Sequence, residues 1–268
     1  MKFGIIGAGK MGSAIGFGVI KSGLFKKDEV IFADSFAPRI EELNNSGYKT
    51  MSNVELYQNA DIVLLAVKPQ QINIILEELS KVDNHAKTII TIAAGISIDY
   101  IKSYLKDVNV ARVMPNTPAL INYGTSAICF DGEINTTVVK IFESVGSVTI
   151  ITEDKMNEVI PLNGSFPAYG YYFALSFIKA GMEAGFTYEQ CKKLVCGSMI
   201  GSANMILECD KPIEQLIKDV CSPGGTTIEG VKVFDNYNMD KIVKDCFDAC
   251  VNRAYELGKK KSEWFLWH

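Results

Sequence analysis

The feature that most constrains this chain is a glycine-rich turn close to its N-terminus. A short apolar stretch at residues 2–6 runs directly into GAGKMG at residues 7–12, and a helical pattern then continues to Ser22. A G-x-G-x-x-G spacing between a strand and a helix is the fingerprint of a dinucleotide-binding βαβ unit, because its glycines permit a tight turn, close approach of a pyrophosphate and close helix packing. We therefore predict a dinucleotide site formed by Gly7, Ala8, Gly9, Lys10, Met11 and Gly12.

Up to about residue 153 the sequence alternates between apolar runs and helical patterns. The run ADIVLLAV at residues 60–67 is almost wholly apolar, which is typical of a parallel strand covered on both faces. The alternation predicts a doubly wound, mainly parallel α/β sheet of the Rossmann type over residues 1–153. The predicted strands lie at residues 2–6, 29–33, 60–67, 88–93, 108–114, 125–130 and 147–152, and the predicted helices at 10–22, 36–45, 70–80, 97–106 and 135–144.

Beyond residue 153 the sequence carries helical patterns and no strand signals, so we predict a second, all-α domain over residues 154–268. Its uncharged apolar segment at residues 164–178 is shorter than the roughly 20 residues that a membrane span needs, and Pro167 interrupts it. We interpret this segment as a buried core or interface helix. The predicted helices lie at residues 165–184, 187–208, 212–219, 226–236 and 239–260.

Composition excludes several classes of function. The formal charge of −4 is mild and no basic block occurs, so we expect no nucleic-acid partner. The seven cysteines form no C-x-x-C pair, which favours reduced thiols inside a cell. Lys10 interrupts the N-terminal apolar run, unlike the core of a signal peptide. We therefore expect a cytoplasmic protein with no membrane partner.

Asp34 ends the second predicted strand, where the fingerprint places an acid that binds the ribose 2′-hydroxyl. A carboxylate at this point favours NADH because it repels a 2′-phosphate, whereas the neighbouring Ser35 and Arg39 leave NADPH open. Asp34 would also serve as the N-cap of the helix that follows. The predicted cofactor is NADPH or NADH.

Acid–base groups for catalysis are scarce in the sequence. The two histidines, His85 and His268, lie in no motif, and no metal-ligand spacing occurs. Lys68, in AVKPQ at residues 66–70, follows a strand and so lies at the ligand edge of a parallel sheet. It is a candidate to contact cofactor or substrate, and the alternative is a lysine whose stem packs along a loop.

A second break in the chain, SPGGTT at residues 222–227, lies just before a helical pattern. Its backbone N–H groups, its hydroxyls and the positive end of the helix suit a carboxylate. An imine accepts hydride once its nitrogen is hydrogen-bonded, so a threonine hydroxyl suffices there and no strong acid is needed. These residues favour reduction of a small imino acid, and the alternative is a well-capped joint between two helices.

Five blocks in order resemble those of the pyrroline-5-carboxylate reductase family, and the resemblance covers essentially the whole chain. It implies reduction of 1-pyrroline-5-carboxylate to L-proline, the last step of proline biosynthesis. It also implies that the helical domain forms a homodimer, that dimers assemble into a decamer or another ring, and that the substrate pocket lies at the dimer interface. The blocks are FGIIGAGKMGSAI at 3–15, LLAVKPQ at 64–70, TIAAGIS at 91–97, RVMPNTPALINYG at 112–124 and VCSPGGTTIEGVKVF at 220–234.

The resemblance also implies roles for individual residues. Thr227 would place its hydroxyl near the imine nitrogen, with Lys68 as the other catalytic candidate. The substrate carboxylate would be held by Ser222, Gly224, Gly225, Thr226 and Thr227. Beyond the glycine turn, the resemblance implies cofactor contacts with Asn53, Ala66, Val67, Lys68, Pro69 and Asn116. The dinucleotide fingerprint adds Asp34 and Ser35 to these contacts.

One block departs from the family pattern, because Asn163 stands where the family has serine and Phe166 where it has a very small residue. The ring of Phe166 would reshape the pocket or pack at the interface. A related imine reductase with an altered substrate, or a non-catalytic NAD(P)-binding dimer, therefore stays open. A β-hydroxyacid dehydrogenase is disfavoured because residues 164–178 lack the lysine that such enzymes carry there, and Lys179 comes too late.

Overall fold

The computed structural model describes residues 1–83 and 87–265, with side chains up to residue 256. His85 and His268 therefore lie outside the described residues. The chain divides into two compact units, which we call the sheet unit (residues 1–167 with the segment from Cys250 onward) and the helical unit (residues 168–249).

The sheet unit is built on eight strands in the order β3-β2-β1-β4-β5-β6-β7-β8. The pairings from β3 through to β6 are parallel, β7 runs antiparallel to β6, and β8 runs parallel to β7. The predicted mainly parallel α/β sheet is thus confirmed. The strands are β1 Phe3–Ile6, β2 Val30–Ala33, β3 Lys49–Thr50, β4 Ile62–Leu65, β5 Thr88–Thr91, β6 Asn109–Met114, β7 Gly124–Phe130 and β8 Gly146–Ile150.

Helices cover both faces of this sheet because its central strands are apolar on both sides. On one face Leu65 and Ile89 pack with residues of the helices that follow β3, β4 and β5. On the other face Ile5 packs with Ile15 and Phe142, from the first and last helices of the unit. These helices are α1 Lys10–Lys21, α2 Ala37–Asn45, α3 Asn53–Asn59, α4 Ile72–Leu79, α5 Ile98–Tyr104 and α6 Thr136–Glu143.

Two elements, β3 and α3, were not among the predicted ones. The two residues of β3 are too few to show a period, and neither is buried. Helix α3 did carry a signal, because Ser52 and Glu55 form a capping box in which the Ser52 hydroxyl accepts from the Glu55 backbone N–H. A search for that short pattern would have found the helix.

The helical region confirms the five predicted helices to within a few residues. Within residues 168–249, Ile178 and Cys191 are the two buried side chains, so the apolar faces of these helices are largely exposed. No described helix is both long and apolar enough to cross a membrane. The helices are α7 Phe166–Glu183, α8 Tyr188–Glu208, α9 Ile213–Val220, α10 Thr226–Asn236 and α11 Met239–Phe265.

Candidate functional site

The order of the strands reverses between β1 and β4, and in a doubly wound sheet a ligand binds at that switch point. The turn after β1 lies directly against the end of β4. The Ala66 backbone N–H donates to the Ile6 carbonyl at 2.8 Å. Gly7 has φ +101°, and a Cβ there would lie 2.7 Å from the carbonyl carbon of Ala66. Glycine is required because both the turn and the close strand leave no room.

Gly9 and Gly12 differ in what surrounds them. A Cβ at Gly12 would lie 2.0 Å from the Gly7 carbonyl oxygen, so this glycine lets α1 pack on the turn. A Cβ at Gly9 would meet no protein atom within 4 Å, so the backbone there is open to a ligand. Gly9 is also the N-cap of α1, and no side chain caps that helix. The turn thus fits the pyrophosphate of a dinucleotide, with the helix N-terminus facing it.

The peptide groups of Ala8 fix the shape of this turn. The Ala8 N–H donates to Asp34 Oδ2 at 2.7 Å. The Ala8 carbonyl oxygen accepts from the Ser13 hydroxyl at 2.8 Å and from Arg39 Nε at 2.9 Å. These bonds tie the turn to Asp34 after β2, to Ser13 in α1 and to Arg39 in α2. No local pattern in the sequence indicated the roles of Ser13 and Arg39 in this contact.

Asp34 does not act as the N-cap that the sequence allowed. Helix α2 begins at Ala37, and its N-cap is Phe36. The second carboxylate oxygen of Asp34, Oδ1, instead accepts from the Phe36 backbone N–H at 2.9 Å. The carboxylate is thus fixed at the end of β2 beside the glycine turn, where the fingerprint expects it.

The other cofactor candidates fall into two groups. Residues 66–69 continue directly from the end of β4 next to the turn, and Lys68, which precedes a 3₁₀ turn at Pro69–Gln71, is exposed. Asn53 opens α3, and its amide nitrogen donates to Glu78 Oε2 at 2.9 Å. The structure thus brings residues 66–69 to the glycine turn and gives Asn53 a partner on α4.

Asn116 follows β6 and is buried in a network that the sequence did not predict. Its Oδ1 accepts from the Thr125 backbone N–H at 2.9 Å, and its Nδ2 donates to the Asn163 carbonyl oxygen at 3.2 Å. The Asn163 amide nitrogen donates in turn to the Met114 carbonyl at 2.6 Å. Asn163 Oδ1 is buried without a protein partner. The network holds the MPNTP segment against the strand that follows it.

The SPGGTT bend lies between α9 and α10 in the helical unit. The Gly225 N–H donates to the Ser222 carbonyl at 3.0 Å, and Gly224 has φ +71°, which gives the bend the pattern of a type II turn with proline second and glycine third. A Cβ at Gly225 would lie 2.5 Å from the Ser222 hydroxyl oxygen and 3.1 Å from the Ser222 carbonyl oxygen, so a larger residue would displace the serine side chain.

Helix α10 begins at Thr226 with Gly225 as its N-cap, and no side chain caps it. Its first-turn N–H groups therefore need an outside acceptor, and a carboxylate is a suitable one. Thr226 and Thr227 are exposed at this end of the helix. Among the described residues, no group of three or more His, Cys, Asp or Glu side chains could hold a metal ion.

The fold and the glycine turn define a Rossmann-type, dinucleotide-binding protein with an all-helical C-terminal region. Residues 2–95 match the family model described as NADP oxidoreductase, coenzyme F420-dependent. Residues 153–257 match the one described as pyrroline-5-carboxylate reductase dimerisation.

Comparison with similar proteins identifies one family within the class of Rossmann-type proteins. The chain is 31% identical to a pyrroline-5-carboxylate reductase of Staphylococcus haemolyticus, over 97% of this chain and 99% of that protein. The structure of the Coxiella burnetii pyrroline-5-carboxylate reductase is 30% identical with a TM-score of 0.88, over 96% of this chain and 98% of that one. The Plasmodium falciparum pyrroline carboxylate reductase, solved with NADP bound, is 30% identical with a TM-score of 0.85 and the same coverage. This chain belongs to the pyrroline-5-carboxylate reductase family.

Proposed function

We propose that this chain reduces 1-pyrroline-5-carboxylate to L-proline with NADPH or NADH, the last step of proline biosynthesis. The observation that carries the proposal is the uncapped start of α10 behind the SPGGTT bend. This end of the helix offers hydroxyls and N–H groups for an anion, and residues 222–227 carry no acidic or basic side chain. The first charged side chain of α10, Glu229, pairs with Lys232 at 2.7 Å. A substrate that brings its own carboxylate and its own basic ring nitrogen matches that chemistry.

The dinucleotide site is proposed at the switch point of the sheet. Gly9 leaves room for the pyrophosphate, and the N-terminus of α1 offsets its charge. Asp34, Ser35, Asn53, Ala66, Val67, Lys68, Pro69 and Asn116 complete the proposed contacts. The bound cofactor supplies the hydride. The contribution of the protein is to hold the pyrophosphate in a turn whose Ala8 peptide groups are hydrogen-bonded to Asp34, Ser13 and Arg39.

The substrate site is proposed at the SPGGTT bend. Ser222, Gly224, Gly225 and Thr226 would hold the carboxylate through hydroxyl and N–H donors. The Thr227 hydroxyl would donate a hydrogen bond to the ring nitrogen, which makes the C=N carbon a better hydride acceptor and stabilises the charge that develops there. Lys68 is the remaining candidate for a catalytic contact.

A homodimer is part of the proposal. Residues 168–249 bury two side chains and expose many large apolar ones, including Tyr172, Ile200 and Leu207. Helices gain most of their stability from packing an apolar face, so these helices need a partner surface. We propose that the boundary between the two domains lies near residue 153 and that dimers assemble further into a ring. We also propose a location in the cytoplasm, where the seven free cysteines would stay reduced.

The test is oxidation of NADH and of NADPH, followed at 340 nm with purified protein and 1-pyrroline-5-carboxylate, with proline identified as the product. Turnover with either cofactor supports the proposal. No turnover with either, from a folded dimer, would favour the non-catalytic dimer. Turnover confined to another cyclic imino acid would favour the altered reductase that Phe166 leaves open.

A further inference from the structure

We propose that the adenosine ribose site of this chain selects the dinucleotide without a 2′-phosphate, so that NADH binds in preference to NADPH. The inference rests on the proposed function for the location of the cofactor, and it concerns Asp34 and Arg39. The relative from Plasmodium falciparum was solved with NADP bound. We expect this chain to differ from that relative in which dinucleotide it binds more tightly.

Asp34 is a fixed acceptor. Its two carboxylate oxygens accept the Ala8 N–H at 2.7 Å and the Phe36 N–H at 2.9 Å. Each carboxylate oxygen can accept a second hydrogen bond, so a ribose hydroxyl can still donate to it. A 2′-phosphate is an acceptor with negative charge and would face another negative charge. The carboxylate cannot swing away without losing both bonds, which are of the stronger, charge-assisted kind.

Arg39 is the cation that, from the sequence alone, could pair with the 2′-phosphate of NADPH. In the structure its guanidinium has other partners. Its Nε donates to the Ala8 carbonyl at 2.9 Å, one terminal nitrogen donates to the Ser13 hydroxyl at 2.6 Å, and the other pairs with Glu42 at 2.5 Å. Each of the three nitrogens thus makes one hydrogen bond, and the two terminal nitrogens each keep a second N–H. The bond to Ala8 holds the glycine turn directly, and the bond to Ser13 holds the hydroxyl that also donates to Ala8. Turning towards a 2′-phosphate would break contacts that shape the dinucleotide site itself.

Ser35 does not offset this arrangement. It is exposed beside Asp34 and offers a neutral hydroxyl, which can donate one hydrogen bond but carries no charge against the carboxylate. Two charged groups therefore lie near the end of β2. The Asp34 carboxylate is fixed at the proposed ribose site, and the Arg39 guanidinium is bound to the glycine turn. This arrangement favours binding of a dinucleotide with a free ribose 2′-hydroxyl over one with a 2′-phosphate.

Binding separates this inference from catalysis. We would measure dissociation constants of the full-length protein for NADH and NADPH by fluorescence, and for 5′-AMP and 2′,5′-ADP by calorimetry, without substrate. We expect NADH and 5′-AMP to bind about tenfold or more tightly than their 2′-phosphorylated counterparts, with a ratio that falls as salt is added. Equal or tighter binding of NADPH would overturn the inference and leave the proposed reductase intact.

Two variants locate the cause. Asp34→Ser removes the charge, so the preference for NADH should fall about tenfold. Because this change also removes an acceptor for Ala8, both dinucleotides would weaken, and the ratio of the two constants is the readout. Arg39→Gln removes the bonds to Ala8 and Ser13, so both dinucleotides would weaken, but we expect the ratio of their dissociation constants to stay unchanged. A selective loss of NADPH and 2′,5′-ADP binding in Arg39→Gln would show that the arginine does bind the phosphate, and would overturn the inference. Failure of all four probes to bind would overturn the dinucleotide site as well.

Discussion

The side-chain nitrogen of Asn116 donates to the backbone oxygen of Asn163 at 3.2 Å inside the sheet unit, 47 residues along the chain. Asn163 also donates to the Met114 carbonyl at 2.6 Å and to the Thr125 carbonyl at 3.3 Å. One asparagine therefore ties the end of β6 to the start of β7. The amide nitrogen of Asn163 is thus fully bonded, whereas its Oδ1 is buried without a protein partner.

Asn163→Asp should destabilise the protein far more than Asn163→Ser. The aspartate would place an acceptor against two carbonyl oxygens in a buried site, which costs about 3 kcal/mol or more in the free energy of unfolding. The serine keeps one donor and removes the unpartnered Oδ1, so we expect a loss of about 1–2 kcal/mol. Urea denaturation at matched protein concentration measures both. Equal stability of the two variants would contradict the observed network.

Gly9→Ala should weaken dinucleotide binding and leave the fold intact. Its Cβ would enter space that is free of protein atoms, where the pyrophosphate is proposed to lie. We expect NADH affinity to fall about tenfold or more, equal to about 1.4 kcal/mol, with an unchanged melting temperature of the free protein. Gly12→Ala is the matched comparison. Its Cβ would clash with Gly7, so it should lower the stability by about 2–3 kcal/mol. Wild-type affinity in Gly9→Ala would exclude the proposed pyrophosphate position.

Thr227→Ala should slow turnover without loss of stability. If its hydroxyl donates to the ring nitrogen, removing it should lower kcat about 100- to 1,000-fold, as for other donors that stabilise developing charge. Thr227→Ser keeps the hydroxyl and should keep most of the rate. Steady-state kinetics of the three proteins decide the point. An unchanged kcat in Thr227→Ala would remove this residue from the mechanism.

Phe166→Ala tests the role of the aromatic ring at the start of α7. Phe166 opens α7 and is 58% exposed in the single chain, so its ring is available to a substrate or to a second subunit. We expect either a broader range of cyclic imines in the turnover assay or a weaker dimer in analytical ultracentrifugation. A variant that keeps both the substrate range and the dimer dissociation constant would show that the ring serves neither role.

Cys129 provides a pH-dependent prediction. Burial in β7, with a smaller contribution from Glu153, raises the pKa of this thiol to about 11. Because the folded-state pKa is raised, the unfolded chain releases this proton first, and the stability due to Cys129 is present below pH 9 and lost as the pH rises towards 11. Cys129→Ala should therefore be less stable than the wild type at pH 8, with a difference that narrows by pH 10.5 in urea titrations. A difference independent of pH would contradict the raised pKa.

Labelling gives a second readout of the same thiol. Native protein treated with iodoacetamide at pH 8 should leave Cys129 unmodified by mass spectrometry, because the side chain is 2% exposed and protonated. Protein unfolded in urea should be labelled there. Rapid labelling of Cys129 in the folded protein would show that β7 is more open than the structure indicates.

Much of the fold was predictable because its signals are local. The apolar runs give the buried strands, the helical periods give the helices, and the spacing of Gly7, Gly9 and Gly12 marks the turn between the first strand and helix. Strand β3 escaped prediction because two partly exposed residues show no period. The SPGGTT bend was also predictable from the sequence. Proline restricts φ and glycine permits positive φ wherever these residues occur.

The sequence by itself determined the two-part architecture, the dinucleotide turn and the bend before α10, because each depends on neighbours along the chain. The tertiary structure alone decided what holds these features in place. Arg39 reaches Ala8 across 31 residues, and Asn163 reaches Met114 across 49. Such bonds depend on which strands lie side by side, and that order brings distant segments within hydrogen-bonding distance without leaving a periodic trace in the sequence. The cofactor preference inferred from Asp34 and Arg39 is therefore a property of the folded sheet.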